Sequence, residues 1–388
     1  MKPSQRIASL DVFRTLAILA VIGRHVHSHF LHDSTAPPGA LDRVLGLGHA
    51  GVDLFFILSG YLIARIVLAE LRATGRLFAP RFWYRRWMRT LPAYYVTLGG
   101  IAAIRAVSSS ERGWTAFPSY LVFLQNYTNT ITTFRFIWSW SLCVEEWFYL
   151  TLPVFLFVLL KAFRGCRPEV PLRALAGLAA LVSVAARQWH YSEFVPGTPY
   201  ADDPYWPSYL QTHCRLDGLA VGVFLATLPN PRPGRGVLVA AVLAAVALAG
   251  LAWVLEPAPE AAEALAGVTE FFRFQQFAVL AGVFGTFVYS GLAYRDWAGW
   301  RIPGAATLAD LSYSLYLTHV VALEVVAQGL KNVPLAAGFA VFVALAAAAS
   351  LAIRYLVEVP CLRLRDRFDP FRGPRPPAPR PQGNAVAS

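Results

Sequence analysis

Charge is what this chain has least of. Only 15% of its 388 residues are Asp, Glu, Lys or Arg, while 56% are hydrophobic and the mean hydropathy is +0.47. A soluble domain carries charge on about a quarter of its residues, so this shortage excludes an ordinary soluble fold and makes the lipid bilayer the first partner. Cysteine is sparse too. Cys143, Cys166, Cys214 and Cys361 are scattered without CxxC spacing, which suggests neither a disulfide scaffold nor a zinc site, and no metal is expected. Also missing are a phosphate-cradling glycine loop, an HExxH helix, a nucleophile elbow and any internal repeat. The net charge of +11 is spread in short clusters between apolar runs, a pattern of membrane orientation that excludes nucleic acid as a partner.

What the chain does have is apolar runs long enough to cross about 30 Å of hydrocarbon. They fall at 7–30, 51–71, 90–107, 139–160, 172–190, 207–228, 236–255, 274–293, 308–328 and 335–358. Arg173 and Arg187 clip the fifth run, and His319 and Glu324 interrupt the ninth. With the N-terminus inside, inner segments hold 22 Lys and Arg and outer segments hold 6, the asymmetry that cytoplasmic loops produce. The expected fold is therefore all-α: a polytopic bundle of ten transmembrane helices with both termini cytoplasmic. Residues 1–360 form the membrane domain, and 361–388 form a basic, proline-rich, disordered cytoplasmic tail. Lys2 and Arg6 before the first run resemble a secretory signal, but the run is too long and lacks a clear cleavage site, so it reads as a retained helix.

Arg14 and His25 lie inside that first run, and intramembrane ionisable groups default to a functional hypothesis. Eleven residues on a helix bring them within about 20° of one direction and about 16.5 Å apart along the axis. In the fourth run Glu145 and Glu146 are placed near the outer end, at the depth of His25, where one of them would face inward and steady the imidazole as general base. Arg86 and Arg89, at i,i+3 on the inner side, form an always-charged fork suited to phosphates. Further pocket residues are Asp53, expected near solvent, Ser59 and Gly60, where a slender ligand or a helix could approach closely, Arg215 with Asp217, and Tyr313 with His319. The aromatic-rich outer stretches 108–138 and 188–206 suit either sugar stacking or an interfacial belt.

Six of these stretches appear in order: Arg14-x10-His25, 51–60, Arg86-x-x-Arg89, 140–150, 215–222 and 312–319. Together they resemble the successive motifs of the membrane-bound acyltransferase-3 family over nearly the whole chain. The resemblance implies an integral-membrane O-acyltransferase of the bacterial cytoplasmic membrane, with ten core helices. Such an enzyme moves an acyl group, often acetyl, from cytoplasmic acyl-CoA to a hydroxyl on a carbohydrate or glycosylated acceptor, and keeps no permanently bound cofactor. On that carry-over His25 is the essential catalytic residue, Arg14 its partner, and Arg86 with Arg89 the donor clamp. Trp147 departs from the Gln of many relatives. Some relatives append an extracytoplasmic hydrolase-like domain; none is expected here, which leaves acceptor choice to the loops. Two other readings stand beside an envelope glycan acceptor. One is a small-molecule acceptor such as a macrolide or other glycosylated metabolite, and the other is a proton-coupled transporter, for which neither repeat symmetry nor matched broken helices is found.

Overall fold

Lipid offers the backbone no hydrogen-bond partner, so apolar runs of this length must satisfy their amides internally, as helices. The computed structural model describes residues 6–31, 40–107, 114–127, 134–192, 205–255, 259–329 and 333–371, and among them there is no strand. The helices are α1 (Ala8–Val26), α2 (Ala40–Gly46), α3 (Gly51–Thr74), α4 (Ala79–Val107), α5 (Phe117–Leu121), α6 (Trp140–Ala162), α7 (Glu169–Ser192), α8 (Tyr205–Leu210), α9 (Asp217–Thr227), α10 (Arg235–Leu255), α11 (Pro259–Ala293), α12 (Ala305–Gly329), α13 (Leu335–Ile353) and α14 (Val359–Arg367).

Six helical stretches are long and apolar enough to cross a membrane: 44–74, 137–162, 169–192, 235–255, 264–293 and 335–367. α1, α4, α9 and α12 fall outside that set, and composition explains why. α1 carries Asp11, Arg14 and Arg24, α4 begins with an arginine cluster, α9 has only 11 residues, and α12 is rich in Ser, Tyr, Thr and His. Polar side chains need protein around them, so α1 and α12 bury much of their surface in the bundle. The apolar α10 buries only 11% of its best window and faces outward, whereas α3 buries 67%.

The tightest seam joins α3 to α9. A Cβ at Gly60 would lie 2.2 Å from the Leu219 carbonyl oxygen, and one at Gly222 would lie 2.2 Å from that of Ile57. Gly218-x-x-x-Gly222 thus works as a small-residue helix interface, and the close approach expected at Gly60 is filled by a helix backbone rather than a ligand.

Three expectations need correction. The sixth run is not one helix: α8 ends at Leu210, a 3₁₀ turn spans Thr212–Cys214, and α9 starts only at Asp217. The eighth run, expected at 274–293, is part of a longer helix, because α11 already begins at Pro259. The start of the stretch expected to be disordered is helical, since α14 runs from Val359 to Arg367. Beyond α14, Asp369 sits against Arg85 (3.0 Å) and Arg81 (3.6 Å) of α4. Burial would raise its carboxyl, but the Phe371 N–H and the two guanidiniums outweigh that and hold it below the usual carboxylate range. Lys2, Arg112, Phe194, Tyr200, Glu256, Lys331 and the tail 372–388 lie outside the described residues.

One end of the bundle, called proximal here, gathers contacts between ends that the charge count assigned to one side. Arg6 meets Asp310 (3.1 Å), Arg72 meets Glu169 (2.6 Å), and Asp369 meets the start of α4. Along α1 from that end, Arg14 comes first and His25 lies toward the distal end.

Candidate active site

The described α1 is unbroken from Ala8 to Val26, so the helical geometry inferred for Arg14 and His25 holds. Arg24 and His25 close its last turn before a π-helical turn, His27–Leu31, of the kind that often marks functional sites. His25 meets His319 of α12: His319 Nε2 lies 3.2 Å from His25 Nδ1, with ring centroids 5.0 Å apart.

Hydrogen bonding fixes the tautomers. His319 Nδ1 lies 2.9 Å from the carbonyl oxygens of both Leu315 and Tyr316, and carbonyls only accept, so Nδ1 carries the proton. With Nδ1 protonated, Nε2 of neutral His319 can only accept, so the shared hydrogen belongs to His25 Nδ1. Val21 O, 3.0 Å away, accepts from the same N–H. His25 is left with a free lone pair on Nε2, as a base or nucleophile requires.

Below this pair a polar column descends the face of α12 at three-residue spacing. Tyr316 donates to the Trp138 carbonyl (2.7 Å) and lies 2.6 Å from Ser141 Oγ; Tyr313 donates to the Thr90 carbonyl (2.8 Å). The column ends among guanidiniums. Arg86 donates to the Tyr149 hydroxyl (2.6 Å), stacks over that ring (3.9 Å) and pairs with Glu145 (3.3 Å). Arg14 and Arg86 lie within electrostatic reach of each other, and Arg89 feels both, together with Arg354 and Glu358. Arg89 is exposed and Arg14 half-buried. Among the described residues neither Arg14 nor Arg89 has an ion pair or a hydrogen bond through its side chain, unlike Arg86 or Arg354, which pairs with Glu358 at 2.8 Å.

The glutamates are where the sequence reading misses. Neither reaches His25 through a hydrogen bond. Glu145 holds Arg86, Glu146 accepts from Thr90 Oγ1 (2.7 Å), and both engage α4, although only one had been expected to face inward. Sequence spacing gave their depth only approximately and their azimuth not at all. Asp53 is buried, not solvated, and Arg215 reaches it at 2.9 Å while packing over Phe277 (3.7 Å). Asp217 pairs instead with Arg187, buried on α7 (2.5 Å). Asp53 with Arg215, and Asp217 with Arg187, thus form two structural ion pairs, and Ser59 bonds the Tyr149 hydroxyl. Arg354 and Glu358, with Ser314 donating to Glu358 (2.5 Å), were missed; their i,i+4 opposite charges inside the tenth apolar run were the available signal.

A helical bundle that holds a histidine pair at one level and a cluster of guanidiniums at another defines a membrane-embedded polar site. A family model described as an acyltransferase domain matches residues 7–358, and the chain belongs to that family, acyltransferase-3. It is similar to a peptidoglycan O-acetyltransferase of Listeria monocytogenes, 31% identical over 207 residues that cover 50% of this chain and 30% of the relative. It is also similar to an O-acetyltransferase of Staphylococcus aureus strain NCTC 8325, 26% identical over 175 residues that cover 41% of this chain and 26% of the relative. The matched regions thus span less than a third of either relative's length. No solved structure matches the chain.

Proposed function

We propose that this chain is an integral-membrane O-acyltransferase that moves acetyl from acyl-CoA on the proximal, cytoplasmic side to a sugar hydroxyl of an envelope or exported glycan. Membership of the acyltransferase-3 family supports the chemistry, and the relative named for peptidoglycan supports the acceptor class. The observation that carries the donor is unmatched charge. Among the described residues Arg14 and Arg89 have no carboxylate of their own, and a polyanion such as the phosphates of CoA supplies what they lack. The excess of Lys and Arg in the segments taken as inner supports a cytoplasmic proximal end and ten spans with both termini inside.

Arg14, Arg86 and Arg89 hold the nucleotide end, and the pantetheine arm follows the polar column toward His25, about 16.5 Å further along α1. His25 Nε2 takes the acceptor's hydroxyl proton as that oxygen attacks the thioester carbonyl carbon. The tetrahedral intermediate then collapses, the carbon–sulfur bond breaks, and the departing CoA thiolate receives the proton from His25. His319 is a positioning residue: its Nε2 accepts from His25 Nδ1–H, holds the productive tautomer and supports the imidazolium while it exists. Glu145 and Glu146 act through Arg86 and Thr90.

The test is purified protein with acetyl-CoA and a peptidoglycan fragment, read as free CoA thiol and as acetylated product by mass spectrometry. Both are expected, and both should vanish in His25→Ala. Acceptor-dependent transfer undiminished in that variant, or movement of solute across vesicles without CoA release, overturns the reading.

A further inference from the structure

At the distal end, away from the chemistry above, three soft donors converge. One ligand atom from each of His190, His213 and Cys214 lies within 4.8 Å of the others. They come from two elements: His190 from the last turn of α7, and His213 and Cys214 from the 3₁₀ turn before α9. Both histidines are half-buried and Cys214 is fully buried, a thiol shielded from bulk oxidant with imidazoles open on one side.

The supporting shell is built as metal sites build theirs. Ser183, Arg187 and His190 share one face of α7 at spacings of four and three. Ser183 Oγ donates to the His213 carbonyl (2.9 Å), and Arg187 donates to the Cys214 carbonyl (2.5 Å) while pairing with Asp217. The backbone of both turn donors is therefore clamped to the helix that carries the third. Gln211 Oε1 lies 2.9 Å from His190 Nε2, in place to accept its N–H and set the ring's tautomer, as outer-shell carbonyls do for metal-bound histidines. Tyr127 stacks on His213, with centroids 6.0 Å apart.

We propose that His190, His213 and Cys214 form a zinc site that staples the distal end of α7 to the turn that begins α9. Two imidazoles and a thiolate suit Zn²⁺, whose bonds of about 2.0–2.1 Å to nitrogen and 2.3 Å to sulfur need modest closure of the three donors; water takes the fourth position. Binding forms the zinc–sulfur bond and releases the Cys214 thiol proton to water. The cysteine spacing gave no hint, because the donors mix residue types and lie 23 residues apart in sequence before they meet.

The experiment uses the full chain in detergent, stripped with chelator, loaded with zinc chloride, desalted and measured for zinc by mass spectrometry. About one zinc per chain is expected, with a Tm higher by a few degrees in excess zinc. Retention should be lost in His190→Gln and Cys214→Ser, and kept in Cys166→Ser, whose thiol is exposed elsewhere. Cobalt loading should give a near-ultraviolet thiolate charge-transfer band that Cys214→Ser lacks. His190→Gln, altered at a half-buried position, should keep the Tm of the stripped wild type, which separates loss of metal from loss of fold. Wild-type protein that elutes as a single folded species yet retains far less than one zinc, or full retention in His190→Gln and Cys214→Ser, overturns the proposal.

Discussion

Replacing His319 with Leu keeps the volume of a fully buried side chain and removes the acceptor on which His25 Nδ1–H rests. In the resting enzyme that bond joins two neutral rings and contributes about 0.5–1.5 kcal/mol, and Val21 O remains to hold part of the geometry. As His25 takes the substrate proton it becomes a cation, and a hydrogen bond from a charged donor contributes about 1.5–3 kcal/mol. Both states lose the bond, so the transition state's extra deficit is the difference, about 1–1.5 kcal/mol, and kcat/KM should fall about 5- to 13-fold while KM for acyl-CoA stays near wild type. His319→Gln, whose amide oxygen can accept at the place of Nε2, should recover most of the loss. Steady-state thiol release on purified variants reads both effects. Combined with His25→Ala the loss should not add, since the two residues act as one unit. Wild-type kcat/KM in His319→Leu, or a multiplicative loss in the double variant, refutes the relay.

Arg14→Gln and Arg89→Gln should each weaken acyl-CoA binding about 10- to 150-fold, measured as KM or by calorimetry with a non-hydrolysable CoA thioether, with little change in fold because neither holds an ion-pair partner among the described residues. Arg86→Gln should behave differently: it also strands the largely buried Glu145, so lowered Tm and reduced folded yield should accompany the loss of activity. Asp53→Ala leaves Arg215 buried without its carboxylate and should cost about 3–5 kcal/mol of stability, seen as a drop in thermal midpoint in detergent; an unchanged midpoint contradicts the pairing. Gly222→Ala places a methyl group 2.2 Å from the Ile57 carbonyl oxygen and should abolish folded yield, whereas Gly250→Ala, with open space around it, should not. Because the Asp369 carboxyl is held below its usual 3.8, its hold on Arg85 is fully present above that pH and is lost as pH falls through the lower folded value. At neutral pH Asp369→Asn should therefore speed tryptic cleavage near Arg367.

Much of the helical architecture was legible because apolar length is a one-dimensional property. The order of the runs survives in α1, α3, α4, α6, α7 and α10 to α13, and the Arg14–His25 relation survives because both sit on one unbroken helix. Partner choice was not legible. Asp53 and Arg215 meet across 162 residues, Arg187 finds Asp217 across a broken segment, and His25 finds His319 across 294. Such pairings depend on the azimuth of one helix against another, which hydropathy does not record. For the same reason one of Glu145 and Glu146 was assigned to the imidazole when α4 claims both. The sixth run misled differently: its mean apolarity hides the break at 211–216, where Arg215 needs a turn rather than a helix to reach Asp53.

The central claim is that cations at the proximal end and His25 toward the distal end serve one substrate path across the bundle. Proteoliposomes of known orientation test it directly, with radiolabelled acetyl-CoA on the side of the C-terminus and the glycan acceptor sealed on the other. The account predicts acetylated acceptor in that arrangement, none with the two substrates exchanged, and none with His25→Ala in either. Product formed only when donor and acceptor share one compartment, or formed undiminished by His25→Ala, contradicts it.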